Sequence, residues 1–185
     1  MSDEGGGFDE GGGFDEGGGI DEVDDIVAAW HRERPDLSVD PLHVLSRISR
    51  LADVLDERRA DAFVEHGLQT HEFDVLAALR RSGDPFELTA GELSQLTHVT
   101  SGTMTSRLDR LTARTFVSRH ADVTDGRLVR VRLTVAGRRR VDAAFEALLD
   151  TERELLTTLP LTQRRDLIAA LRLLLRAAEP VAGRG

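Results

Sequence analysis

Residues 89–111 read Thr-Ala-Gly-Glu-Leu-Ser-Gln-Leu-Thr-His-Val-Thr-Ser-Gly-Thr-Met-Thr-Ser-Arg-Leu-Asp-Arg-Leu, and this stretch decides the fold. Thr89 and Glu92 have capping-box spacing, in which a hydroxyl and a carboxylate three residues apart each accept the other's backbone N–H. They open a short helix through Leu93 and Leu96, closed by a connector over 97–100. Ser101 to Leu111 then predicts a second helix with Met104, Leu108 and Leu111 on its inner face. Two short helices joined by about four residues form a helix-turn-helix.

Beyond Leu111 the apolar period changes from 3.6 to 2. Residues 116–121 and 128–133 are strand-like, and Asp125-Gly126 between them is a strong short hairpin signal. A helix-turn-helix followed by a hairpin is a winged helix. Upstream, helices are predicted over 71–81 (Phe73, Leu76, Leu79), over 41–66 with Gly67 as its cap, and from Ile20 through Val23, Val27 and Trp30. Downstream, Val141 to Leu156 and Leu167 to Leu175 are helical on either side of Pro160. The last stripe is wider than one face, so it needs a second partner. The implied fold class is mainly α with a small β wing: a winged helix-turn-helix with terminal dimerisation helices. A lobe over 71–134 binds DNA, 20–66 and 135–180 pair the subunits, and 20–180 form one domain.

Residues 1–19 stand apart. The six-residue unit EGGGFD appears at 4–9 and 10–15 and returns as EGGGID at 16–21. It is too short for a solenoid and too rich in Gly for helix or strand, so it reads as a disordered acidic tail. The tail explains why the net charge of −9 misleads: residues 1–25 carry ten acids and no base, whereas 91–140 carry ten Arg against four acids. Every one of the 24 basic residues is Arg. The absence of Cys excludes a disulfide framework, a thiolate metal site and a cysteine redox sensor. No apolar run is long enough to span a membrane, and the acidic amino terminus is unlike a signal peptide, so a soluble cytoplasmic protein is expected. The sequence contains no phosphate loop, nucleophile elbow or paired-His zinc motif, so no enzyme and no cofactor is expected.

The basic lobe carries the chemistry. DNA is read by cations along its backbone and by short polar side chains at base edges. Ser101, Thr103, Thr105 and Ser106 offer hydroxyls on the first turns of the second helix, and Arg107, Arg110 and Arg114 follow at three- and four-residue spacing. Arg127 sits at the wing tip and Arg130 and Arg132 on its polar face. The bland alternative is that these Arg merely solubilise a chain without Lys; their coincidence with helix-turn-helix and wing argues for duplex DNA, with affinity falling steeply in salt. His66 and His71 flank a turn without the clustered ligands of a zinc site, and His43 reads as a solvated or core residue, the alternative being that it meets its dimer mate and tunes assembly with pH.

The run from Glu92 to Leu111, the Asp125-x-Arg127 of the wing and Val131-Arg-Leu-Thr134-x-x-Gly137 resemble the MarR family of winged-helix transcription regulators, over residues 41–178. The resemblance implies a homodimer paired through terminal helices, placing two recognition helices in successive major grooves of a pseudo-palindromic operator. It gives Asp125 the role of orienting Arg127 toward DNA. Thr115 departs from it, since a Gly usually follows the recognition helix. The extra helix bearing Trp30 is similar to a urate-responsive branch, whose ligand set of one Trp, one Asp and two Arg corresponds here to Trp30, Asp74, Arg107 and Arg119. In that reading Arg119 meets the negative charge of a small anionic metabolite (urate, another purine-like anion or a tricarboxylate) and Trp30 packs on it. Asp74 passes the signal to Arg107, and a repressor leaves its operator. Asp74 lies between Phe73 and Val75, where a carboxylate is costly unless paired, and Arg119 shares a strand face with Val117. Three alternatives stay open: a structural Asp–Arg pair under a core Trp, an architectural DNA-binding dimer without effector, and a regulator controlled by a protein docking on the acidic tail.

Overall fold

The computed structural model describes residues 19–122, 125 and 128–178. The predicted tail lies outside them up to residue 18, as do Gly126 and Arg127 of the wing tip. The chain divides into two units, residues 1–54 and 55–185. Helix α2 (Asp40–Glu65) contributes to both.

In the first unit, α1 (Glu22–Glu33) begins at Asp21, whose carboxylate accepts from the N–H groups of Val23 and Asp24. Asp24 answers by accepting the Asp21 N–H at 2.9 Å. Val23 and Val27, one turn apart, are buried with Val39 against Leu42. Arg47 of α2 lies 2.8 Å from Asp21 and 2.7 Å from Asp24. Its hydrogen bond holds the Asp21 carboxyl below the ordinary carboxylate range; for Asp24 the Asp21 N–H leads and Arg47 comes second.

The second unit continues with α3 (Thr70–Arg81), β1 (Glu87–Thr89), α4 (Ala90–Leu96), α5 (Ser101–Ala113), β2 (Val117–Ala121), β3 (Val129–Leu133), α6 (Val135–Leu156) and α7 (Leu161–Ala178). One apolar cluster joins all of these except α7: Phe63, Leu76 and Leu79 meet Leu93, Met104, Leu108, Leu111, Val131, Val141 and Leu148. This is a winged helix with a small antiparallel sheet in the order β1-β3-β2.

One local reading needs correction. Strand β1 has no counterpart among the predicted elements: three half-buried residues show no alternation, and only pairing of Leu88 with Val131 makes them a strand. The Asp-Gly signal lies between two strands that do pair, Ala121 against Val129, and beyond the ladder the Asp122 N–H reaches the Leu128 carbonyl and the Leu128 N–H the Asp125 carbonyl, both at 2.9 Å. Buried Asp122 braces this connection, accepting the Asp125 N–H at 3.0 Å and pairing with Arg130 of β3.

Two helix ends share one geometry. Gly67, with φ of 64°, closes α2: its N–H reaches the Val64 carbonyl and the Leu68 N–H that of Phe63. Thr115, with φ of 60°, closes α5 the same way, with Thr115 bonding to Thr112 and Phe116 to Leu111. Both have the bonds of a Schellman turn, which favours Gly at the left-handed position. Thr115 meets that need without Gly, at a steric cost of about 1–2 kcal/mol.

Candidate nucleic-acid interface and effector residues

Helix α5 starts at Thr100, whose side chain accepts the Thr103 N–H. Met104, Leu108 and Leu111 are buried, which turns Ser101, Thr103, Thr105, Ser106 and Arg110 outward. The Thr105 hydroxyl donates to the Ser101 carbonyl at 2.9 Å. The hydroxyl-rich face needed for reading base edges therefore exists. Beside it, His71, Gly102, Thr103, Ser106, Arg107 and Arg110 line an open polar groove of about 500 Å³.

Of the proposed effector residues in the second unit, Asp74 and Arg107 come together. Burial raises the Asp74 carboxyl above its ordinary range, and the strongest charge opposing that shift is Arg107 of α5. His71, on the same groove, is lowered by burial first and by Arg107 next. The notion that Asp74 is enclosed by its neighbours Phe73 and Val75 is corrected: those two are buried, while Asp74 keeps over a third of its surface open. Adjacent helical residues point about 100° apart, so apolar sequence neighbours do not bury a carboxylate.

Arg119 has a different partner. Its Nη2 lies 2.9 Å from Asp109 Oδ1 on α5, close enough for an ion pair but without the alignment of a hydrogen bond. Its Nε and Nη2 are shielded from solvent and hydrogen-bond to nothing. Asp109 and Arg107 are two residues apart, about 200° around the helix, so Arg119 and Asp74 address opposite flanks of α5. Trp30 belongs to the first unit and is half exposed.

On the wing, Arg130 pairs with Asp122 and stands 3.7 Å from Glu87; Arg132 and His120 lie 3.2 and 3.3 Å from the same Glu87. Asp125 is exposed at the loop where its N–H meets Asp122, and its proposed companion Arg127 lies outside the described residues. Arg114 is not on the outer face with Arg107 and Arg110: it caps α5 and binds Glu72 at 2.6 Å. Helical spacing implied the outward reading, but the helix ends at Ala113 and its phase ends with it. Glu72, Asp122 and Glu87 were missed by sequence reasoning. The Asp122-x-x-Asp125 spacing was the one available hint, being that of a side chain bonding the backbone of its own turn. No cluster of metal-ligating side chains occurs among the described residues, nor any helix long and apolar enough to cross a membrane.

A helix-turn-helix with a polar, arginine-bearing outer face and a three-stranded wing defines a winged-helix DNA-binding protein. Comparison with known proteins narrows this. The chain is 35% identical over 135 residues to the HTH-type transcriptional regulator PecS of Dickeya dadantii, covering 73% of this chain and 81% of PecS. Residues 66–128 match the model of the MarR family. The fold is shared with Sco3205 of Streptomyces coelicolor in complex with DNA (TM-score 0.67, 18% identity, 80% of this chain and 94% of that one). It is also shared with an E. coli MarR mutant complexed with operator DNA (TM-score 0.62, 24% identity, 82% and 98%). The chain belongs to the MarR family, and it is a DNA-binding transcription regulator rather than an enzyme.

Proposed function

We propose that the chain is a cytoplasmic homodimeric repressor that leaves a pseudo-palindromic operator when a small anionic metabolite binds. The observation that carries the effector is Arg119, a guanidinium whose shielded Nε and Nη2 make no hydrogen bond. Buried donors without acceptors are costly, and a carboxylate or urate-like anion supplies the missing acceptors. Such an anion competes with Asp109 for Arg119 and so loosens the tie between β2 and α5. It weakens DNA binding only in proportion to its preference for the released form. On the opposite flank, Asp74 and Arg107 respond to the same movement of the helix. The unpartnered apolar surface of α7, where Leu167, Ile168, Leu173, Leu174 and Leu175 are all exposed, supports pairing with a second copy. DNA contacts are assigned to Ser101, Thr103, Thr105, Ser106, Arg107, Arg110 and the wing loop with Asp125, Arg127 and Arg130.

A second reading has its own support: Arg119 already lies beside a carboxylate, as it would in an architectural dimer without effector. Titrations of urate and of a tricarboxylate, followed by Trp30 fluorescence and by operator affinity, decide between them. The repressor reading expects urate to lower operator affinity of the wild type and to act on Arg119→Ala far less. It expects Asp109→Asn, with the internal competitor removed, to bind urate more tightly. An Arg119→Ala protein as responsive as the wild type overturns the assignment.

A further inference from the structure

We propose that Arg114 is a positioning residue that fixes the angle of the recognition helix α5, and that it makes no contact with DNA. Its Nη1 binds Glu72 Oε2 at 2.6 Å, and its Nη2 donates to the Gly67 carbonyl. Its guanidinium carbon lies 4.7 Å from the centre of the Phe116 ring. Two of three nitrogens and one face are thus committed to protein, which leaves little to offer a phosphate.

The partners of Arg114 are anchored in turn. Glu72 is buried, accepts the Gln69 N–H at 3.0 Å as well, and belongs to the first turn of α3. Burial alone would raise its carboxyl, but the Gln69 N–H and Arg114 outweigh it and hold it below the ordinary range. Gly67 is the left-handed residue closing α2. Phe116 is buried beside Leu111, and a second guanidinium, Arg140 of α6, lies 5.7 Å from its ring while donating to the His66 carbonyl at 3.0 Å. The end of α2, the start of α3, the end of α5 and the first turns of α6 therefore meet around one arginine. The two Schellman turns, at Gly67 and Thr115, are joined through it.

The lever is long. Thirteen residues of α5 span about 20 Å, so a rotation of about 10° at Arg114 displaces Ser101 by about 3 Å. Base contacts tolerate about 0.5 Å. A residue that only sets this angle affects discrimination between sequences, whereas a phosphate contact strengthens binding to every sequence.

The test uses the full chain, a duplex selected by the wild type from a random pool, and an unrelated duplex, with affinities measured across a salt series. Arg114→Ala is expected to bind the selected duplex about 10- to 100-fold more weakly. Its affinity for unrelated DNA, and the slope of log affinity against log salt, should stay at wild-type values. Arg110→Ala, the phosphate-binding control, should bind both duplexes more weakly and flatten the slope by about 0.9 for each phosphate no longer neutralised. Arg114→Lys keeps the charge but cannot serve Glu72 and Gly67 together as a fork, so it should resemble the Ala variant. It also stands in should Arg114→Ala not fold. A flattened slope with equal weakening on both duplexes for Arg114→Ala, or wild-type affinity for Arg114→Lys, overturns the proposal.

Discussion

Replacing Gly137 by Ala, normally a stabilising change inside a helix, should here destabilise the protein. Gly137 is the third residue of α6, where Ala would ordinarily gain about 1 kcal/mol. A Cβ at this position would stand 2.1 Å from the Phe116 carbonyl oxygen, 2.9 Å from its carbon and 3.0 Å from Leu133 Cδ1. Relief requires a displacement of about 1 Å, and the obstacle is main chain rather than a flexible side chain. That carbonyl is itself held, accepting from the Thr134 N–H at 3.0 Å and from its hydroxyl at 3.1 Å. The same hydroxyl accepts the Gly137 N–H at 3.0 Å, so moving α6 away also loosens its cap.

Overpacking costs about 1–3 kcal/mol and removal of a cap about 1 kcal/mol. Against the helix-propensity gain of about 1 kcal/mol, the net is a destabilisation of about 1–3 kcal/mol. For a chain of this size that is a fall in Tm of about 2–12 °C. Thermal denaturation followed by far-ultraviolet circular dichroism measures it, with Ala136→Gly at the exposed neighbouring position of α6 as the comparison for propensity alone. Because the clash lies beside Phe116, operator affinity measured well below Tm should fall too. A Gly137→Ala protein as stable as the wild type would refute the reasoning.

Acid should act through Glu72. Its folded-state carboxyl lies below the ordinary range, so its stabilising contribution is present above the unfolded pKa near 4.5 and disappears as pH falls through the folded value. Glu72→Gln should start less stable near pH 7 and lose less Tm on acidification, a difference visible in denaturation scans from pH 7 to 3. Leu167→Asp with Leu174→Asp on α7 should convert the pair of subunits to monomers in light scattering and weaken operator binding by at least tenfold, without unfolding the second unit's core, which contains neither residue.

The sequence made the helix-turn-helix legible because its apolar positions repeat at helical spacing and its caps, Thr89 with Glu92 and Gly67, carry their own chemistry. What escaped it was set by tertiary partners. Residues 87–89 become a strand only because β3 has an edge to offer. The Asp125-Gly126 signal marks the connection between the strands but not the buried Asp122 carboxylate that braces it. Asp74 looks enclosed only when sequence neighbours stand in for spatial ones, and Arg114 looks outward only when helical phase is extended one residue past the helix. Glu72 gives no sign of burial in a stretch reading Thr-His-Glu-Phe-Asp; the Gln69 N–H and Arg114, 42 positions away, make its burial tolerable.

The same distinction bears on how strongly the protein should cling to DNA. Ten arginines in residues 91–140 suggest a steep salt dependence if each meets a phosphate. Inside the fold, Arg114 serves Glu72, Arg119 lies against Asp109, and Arg130 and Arg132 share Glu87. Arg138 lies over the Phe86 ring, and Arg140 holds the His66 carbonyl. Arg114, Arg119, Arg130 and Arg132 have carboxylates beside them, whereas Arg138 and Arg140 face uncharged groups and Arg139 stands exposed between them on α6, outside the set assigned to DNA. Arg107 and Arg110 remain on the helix face, and Arg127 of the wing joins them; Arg130, also assigned to DNA, is already paired with Asp122 and adds little to the slope. Three such cations in each of two subunits correspond to a slope of log affinity against log salt of about −5. All ten would give about −18. A measured slope steeper than about −9 would mean that the ion pairs of the wing open on DNA and that their arginines reach the backbone after all.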